Sequence, residues 1–148
     1  MIPDGDRIDR VRMVLGGVTV LSRVLAAQQR RPFEGRLLTG SQLSLLFFLA
    51  RTPSGLTPGR LAALLDVTRG AVTQLVDALE TEGHVEIGVN PADARSRILV
   101  LSDAARKEVE RFEQATAERL LPRFASLTSQ ELTTLAQLID RITEKERQ

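Results

Sequence analysis

LTPGRLAALLDVTRGAVTQLVDALETEG, residues 56–83, decides the fold. Thr57-Pro58 reads as an N-cap followed by proline at the first helical position, where the missing N–H is no loss. Leu61, Leu64 and Leu65 give the inner face of a short helix. Asp66-Val67 leaves room only for a tight turn, and Thr68 then caps a second helix. Val72, Leu75, Val76 and Leu79 line one side of it, and Gly83 ends it. Leu56 with Leu61, and Val67 with Val72, stand in hydrophobic-staple positions. Two short capped helices joined by so few residues predict a helix-turn-helix.

Beyond Gly83 the period shifts from helical toward alternation. His84-Val85-Glu86-Ile87 and Arg97-Ile98-Leu99-Val100-Leu101 read as two strands, with Gly88 to Ser96, containing Asn90-Pro91, as the loop between them. An isolated ribbon is marginal, so this one must pack on the helices, and Val85, Leu99 and Leu101 offer the face for it. A ribbon directly after a helix-turn-helix is a wing.

Upstream, Thr39 and Gln42 form a capping box, with Leu38 and Leu43 as its staple, before the continuous apolar stretch Leu45-Leu46-Phe47-Phe48-Leu49. That stretch predicts a central, largely buried helix. Earlier still, about Asp6 to Arg30, Ile8, Val11, Val14, Leu15, Val18, Leu21 and Leu25 recur at three- and four-residue steps and predict one long amphipathic helix. Downstream, Ser102-Asp103 opens a helix carrying Val109, Phe112 and Leu120, broken at Pro122. Thr128 and Glu131 make a second capping box ahead of Leu132, Leu135, Leu138, Ile139 and Ile142. The predicted fold is mainly α with a small β-ribbon wing (α+β). Its divisions are an N-terminal dimerisation helix over 1–37, a winged helix-turn-helix over 38–101 and C-terminal dimerisation helices over 102–148.

Composition narrows the function. The 148 residues, 43% hydrophobic, suffice for one domain-sized core. No apolar run approaches bilayer-spanning length, and the charged start of the chain lacks a secretory signal, so a cytoplasmic protein is expected. The absence of cysteine removes disulfides, thiolate metal sites and thiol redox sensing. With His84 as the only imidazole, Cys/His catalysis and the usual zinc sites are out of reach. Gly16-Gly17 lacks the spacing of a nucleotide fingerprint. The chain is expected to be no enzyme and to need no cofactor or metal.

The motifs taken together resemble the MarR family of regulators. They are Leu38-Thr39-Gly40-Ser41-Gln42, Leu56 to Ala62, Val67 to Thr73, Leu79-Glu80-Thr81-Glu82-Gly83, Asp93-Ala94-Arg95-Ser96-Arg97 and Leu101-Ser102. It is their order and spacing that carry the resemblance. It implies a homodimer whose N- and C-terminal helices interleave, each subunit placing its winged helix-turn-helix on half of a pseudo-palindromic double-stranded DNA operator. The implied function is a sequence-specific transcriptional regulator, a repressor relieved by a small phenolic or anionic effector. The apolar rows of the first and last two helices agree, being more than one small domain can cover.

With Val72, Leu75, Val76 and Leu79 inward, Arg69, Gly70, Thr73, Gln74 and Asp77 face outward. Recognition helices enter the major groove by their N-terminal part, which makes Arg69, Thr73 and Gln74 the expected base readers. Arginine pairs with guanine and glutamine with adenine through two hydrogen bonds. Gly70 permits close approach, and Thr68 is a cap whose hydroxyl could also meet phosphate. In the wing the resemblance implies that Arg95 enters the minor groove, that Asp93 orients the wing arginines and that Arg97 meets backbone; an Asp93–Arg95 ion pair closing the loop is the plainer alternative. Arg23, Phe47, Phe48 and Phe112 lie on elements that would line an effector site, although Phe47 and Phe48 equally suit a core.

Charge departs from the family pattern. The chain carries +1 overall. Over 1–39, seven arginines oppose Asp4, Asp6, Asp9 and Glu34; over 40–101, Arg51, Arg60, Arg69, Arg95 and Arg97 oppose six acids. Ile87, Gly88, Ala94 and Gln74 stand where basic residues are common, so weak non-specific DNA binding is expected, partly offset by Arg30, Arg31 and Arg36. A winged-helix dimer that binds protein instead of DNA is the alternative.

Overall fold

The structure, a computed structural model, describes residues 4–28, 33 and 37–147. The chain divides into two compact units, Met1–Leu43 and Ser44–Gln148. In the first, helix α1 spans Asp4–Gln28. Arg10 meets Asp6 at 2.9 Å and Arg12 meets Asp9 at 3.5 Å along its polar side. Its apolar row is open: Val11, Val14, Leu15 and Val18 are all at least half exposed. Gly5–Gln28, 24 residues containing an 18-residue stretch of mean hydropathy 1.3, is long and apolar enough to cross a membrane by length and composition. That corrects the expectation of no such run. Arg12 and Arg23 interrupt the apolar residues in sequence, but a helix averages them with the uncharged residues 13–22 between.

Helix α2, Gly40–Ala50, begins where the capping box requires. The Thr39 N–H donates to Gln42 Oε1 at 2.9 Å, and the Gln42 N–H returns to Thr39 Oγ1 at 3.2 Å. Leu43, Leu45, Leu46 and Leu49 are buried on it.

The second unit continues with α3 (Pro58–Leu65), α4 (Arg69–Thr81), strands β1 (Val85–Asn90) and β2 (Asp93–Leu101), α5 (Asp103–Leu120), a 3-10 turn over Leu121–Phe124 and α6 (Ser129–Arg147). Its core gathers Leu61, Val72, Leu79, Val85, Leu99 and Val109, all essentially inaccessible. The strands pair antiparallel from Val85↔Leu101 to Asn90↔Asp93, with an irregularity between Val89 and Asn90. This ribbon is longer than the sequence predicts: residues 88–90 and 93–96 extend it and leave only Pro91-Ala92 as the turn. The Asn90 side chain accounts for this, because its Nδ2 donates to Ser96 Oγ at 2.8 Å and its Oδ1 accepts from the Ala92 N–H at 3.0 Å.

The ribbon is anchored by backbone. Leu56 and Leu99 exchange two main-chain hydrogen bonds, 3.0 and 2.8 Å, which tie the residue before Thr57 to the returning strand. Gly55 makes this approach possible. Its φ is +88°, and an added Cβ would stand 2.9 Å from the Leu99 carbonyl oxygen.

Helix α6 starts on the expected capping box. Glu131 Oε2 accepts from the Thr128 N–H at 2.8 Å and from its hydroxyl at 3.0 Å, while the Glu131 N–H donates to Thr128 Oγ1 at 3.2 Å. These bonds, the backbone one foremost, hold the Glu131 carboxyl below its ordinary 4.5. The folded pKa is the lower one, so the cap contributes fully above the unfolded value and is lost as pH falls through the depressed folded value. A side-chain titration by NMR should give a Glu131 midpoint below 4.5, with first-turn amide protection fading over the same range. A midpoint at or above 4.5 would refute the cap's role. Along α6, Leu135, Leu138, Ile139 and Ile142 remain exposed.

Candidate nucleic-acid interface

The helix-turn-helix is set by local hydrogen bonds. Thr57, with extended backbone (φ −74°, ψ 154°), accepts the Arg60 N–H on its side chain at 3.2 Å and starts α3. Asp66 takes the left-handed conformation (φ 53°, ψ 48°), a state open to aspartate at low cost, and its N–H and that of Val67 cap the carbonyls of Ala63 and Ala62. Thr68 accepts the Ala71 N–H at 3.1 Å and starts α4. Val72, Val76 and Leu79 are buried and Leu75 half-buried, which turns the opposite side of the helix outward.

That outward side carries Thr68, Arg69, Gly70, Thr73, Gln74 and Asp77, every one exposed. The Thr73 hydroxyl donates to the Arg69 carbonyl at 3.1 Å, so its proton is engaged and its lone pairs are what it presents. Two carboxylates, Asp77 and Glu80, share the exposed surface of α4.

On the wing, Asp93, Arg95 and Arg97 are exposed. Asp93 Oδ1 accepts the Arg95 main-chain N–H at 3.0 Å, and Ser96 Oγ donates to the Asp93 carbonyl at 3.1 Å. Asp93 therefore shapes the turn through the backbone of Arg95, and among the described residues no ion pair joins the two side chains. Arg97 stands opposite Val89, which is exposed as well. Arg30, Arg31 and Arg36 lie outside the described residues.

A cavity of about 570 Å³ opens within the second unit, with Phe47, Phe48, Arg51, Leu64, Ile139 and Thr143 among its lining. Phe47 and Phe48, two of the effector candidates, thus line one cavity. Phe112 instead supports the wall, its ring 5.9 Å from that of Phe47 and tilted by 43°. Arg23, on α1, is exposed and belongs to the first unit. Arg51, one helical turn after Phe47, also lines the cavity and is not among the sequence candidates. Its guanidinium meets Glu113 of α5 at 2.8 Å. No sequence signal ties Ile139 and Thr143 to this cavity, since they arrive from a helix ninety residues away.

The MarR family model matches residues 38–96. BadR of Rhodopseudomonas palustris, a transcriptional activatory protein, is 33% identical over 78 residues, 51% of this chain and 45% of that protein. The chain thus matches less than half of that relative's length. The multiple antibiotic resistance protein MarR of Escherichia coli is 29% identical over 106 residues, 71% of this chain and 73% of that one. A mutant MepR from a multidrug resistant S. aureus clinical isolate has a similar structure, with a TM-score of 0.73 at 20% identity over 91% of this chain and 96% of the other. A mutant E. coli MarR complexed with operator DNA gives 0.59 at 23% identity over 90% and 96%. At these identities the likeness to solved structures establishes the fold: mostly helical, with a two-stranded wing.

Proposed function

We propose, from the match to the MarR family model over residues 38–96, that the chain is a MarR-type, dimeric, sequence-specific DNA-binding transcriptional regulator. One observation carries the reading. The residues marked for DNA contact, at the start of α4 and on the wing, are all exposed, while the helix beneath them is locked by buried Val72, Val76 and Leu79. Arg69, Gly70, Thr73 and Gln74 present the start of α4 to the DNA, with the Thr68 cap hydroxyl placed for phosphate; Arg95 serves the minor groove, Asp93 shapes the wing and Arg97 meets phosphate.

The open apolar rows on α1 and α6 support a homodimer, built from residues 1–37 and 102–148 around the DNA-binding domain 38–101. The MepR likeness extends over 91% of the chain, which favours α1 as part of a regulator fold over a membrane span. A DNA partner in turn sets the protein in the cytoplasm. The cavity has the volume of a small-molecule site and is walled by aromatic and aliphatic side chains, which supports a small effector that relieves repression. A phenolic ring suits Phe47 and Phe48. An anionic group would have to compete with Glu113 for Arg51. BadR is named for activation, so the sign of regulation follows from where the operator lies.

Selection from a randomised duplex pool, followed by fluorescence anisotropy at two salt concentrations, tests the proposal. A pseudo-palindrome with half-sites about one helical turn apart and salt-dependent affinity is expected. No enriched sequence and no salt dependence would overturn it. The acidic balance over 40–101 would then favour a protein partner.

A further inference from the structure

We propose that Arg69 holds the phosphate backbone and reads no base, and that Gly59 is the positioning residue that gives it its seat; this rests on the DNA-binding reading above. Arg69 is the first residue of α4. Side chains of a helix lean toward its N-terminus, so a long one at this position is carried back over the preceding element. The guanidinium goes to the first turn of α3. A Cβ added to Gly59 would stand 3.1 Å from Arg69 Nη2, 3.5 Å from Cζ and 3.6 Å from Nε. The charged head itself, and not merely its stem, lies across the glycine.

Backbone conformation does not require glycine there. Gly59 is the second residue of α3 and is not among the residues of positive φ. Glycine is a poorer helix former than alanine, and what it gains here is the room the guanidinium occupies. In a helix-turn-helix the first helix crosses the DNA backbone while the second enters the groove. A guanidinium laid on the first helix travels with the backbone-crossing element, away from base edges. Among the described residues no carboxylate pairs with Arg69, so its charge is available to a phosphate. Base reading on α4 then falls to Thr73 and Gln74, exposed four and five residues further along.

Affinities for the selected operator and its single-base variants, measured over a salt series, separate the roles for wild type, Arg69→Ala, Gly59→Ala and the double variant. Arg69→Ala should weaken every duplex by one common factor, roughly tenfold, and flatten the log–log salt slope by about 0.9 per protomer. Gly59→Ala should give part of that loss and part of that flattening. In the Arg69→Ala background it should add nothing, because its effect passes through the arginine. Only the end of a flexible side chain must move aside, so Gly59→Ala should melt at or above the wild-type temperature.

Relaxed preference at one base pair with an unchanged salt slope in Arg69→Ala would make Arg69 a base reader and overturn the proposal. An equal loss from Gly59→Ala in both backgrounds would remove the positioning role. A wild-type protein without selective, salt-dependent binding would instead bring down the DNA-binding reading, and this inference with it.

Discussion

Val14→Glu combined with Val18→Glu should sediment as a monomer and bind the selected operator about 10²–10⁴-fold more weakly than wild type. Both valines lie on the open row of α1, 55% and 51% exposed in the single chain. A matching row on α6, from Leu135 to Ile142, is also uncovered. Apolar surface of this extent on helices outside the core is what subunit association would remove from water. A carboxylate buried there without a partner is strongly unfavourable, so the pair of charges would act against the proposed dimer. The residual binding would be that of one half-site, since linkage between two modules, with no new contact, supplies the factor lost. Far-ultraviolet circular dichroism should change little, because glutamate forms helix at least as well as valine. A variant that stays dimeric with wild-type affinity would place the subunit interface elsewhere.

Leu79→Ala should lower the unfolding free energy by roughly 2–5 kcal/mol. Leu79 is inaccessible to solvent on the inner side of α4, and its carbonyl accepts the His84 N–H at 2.8 Å where the chain leaves the helix for β1. Truncation removes apolar contact and leaves a cavity that close-packed neighbours fill only in part. Against a total of about 5–15 kcal/mol, that is a large fraction. Chemical denaturation at one fixed protomer concentration measures it, because association would otherwise contribute to the apparent stability. A loss under about 1 kcal/mol would mean that α4 does not depend on this contact, and that Val72, Val76 and the caps hold its outward side in place.

The caps show why so much of the fold was legible. Thr39, Thr57, Thr68, Ser102 and Thr128 each accept a main-chain N–H three residues ahead, a bond contained within one turn and therefore visible in any short window. The apolar faces of α3 and α4 follow from spacing in the same way. The wing was legible as a ribbon but not in its length. Gly88, Asn90 and Ser96 are poor strand formers by composition, and only the Asn90–Ser96 bond and the pairing across the turn carry the strands to Asp93.

By itself, then, the sequence determined the order and start of the helices, the helix-turn-helix, the wing and the outward side of α4. Hydrogen bonds and periodicities that close within a few residues are responsible for all of these. The tertiary structure decided the rest. It anchored the ribbon through Leu56 and Leu99, seated Arg69 on Gly59, turned the Asp93 carboxylate to a backbone N–H, and brought Ile139 and Thr143 beside Phe47 and Phe48. Except for the Asp93 turn, each of these joins residues ten to more than ninety positions apart. Such contacts form only once the core has fixed where the elements lie, and no local propensity encodes them.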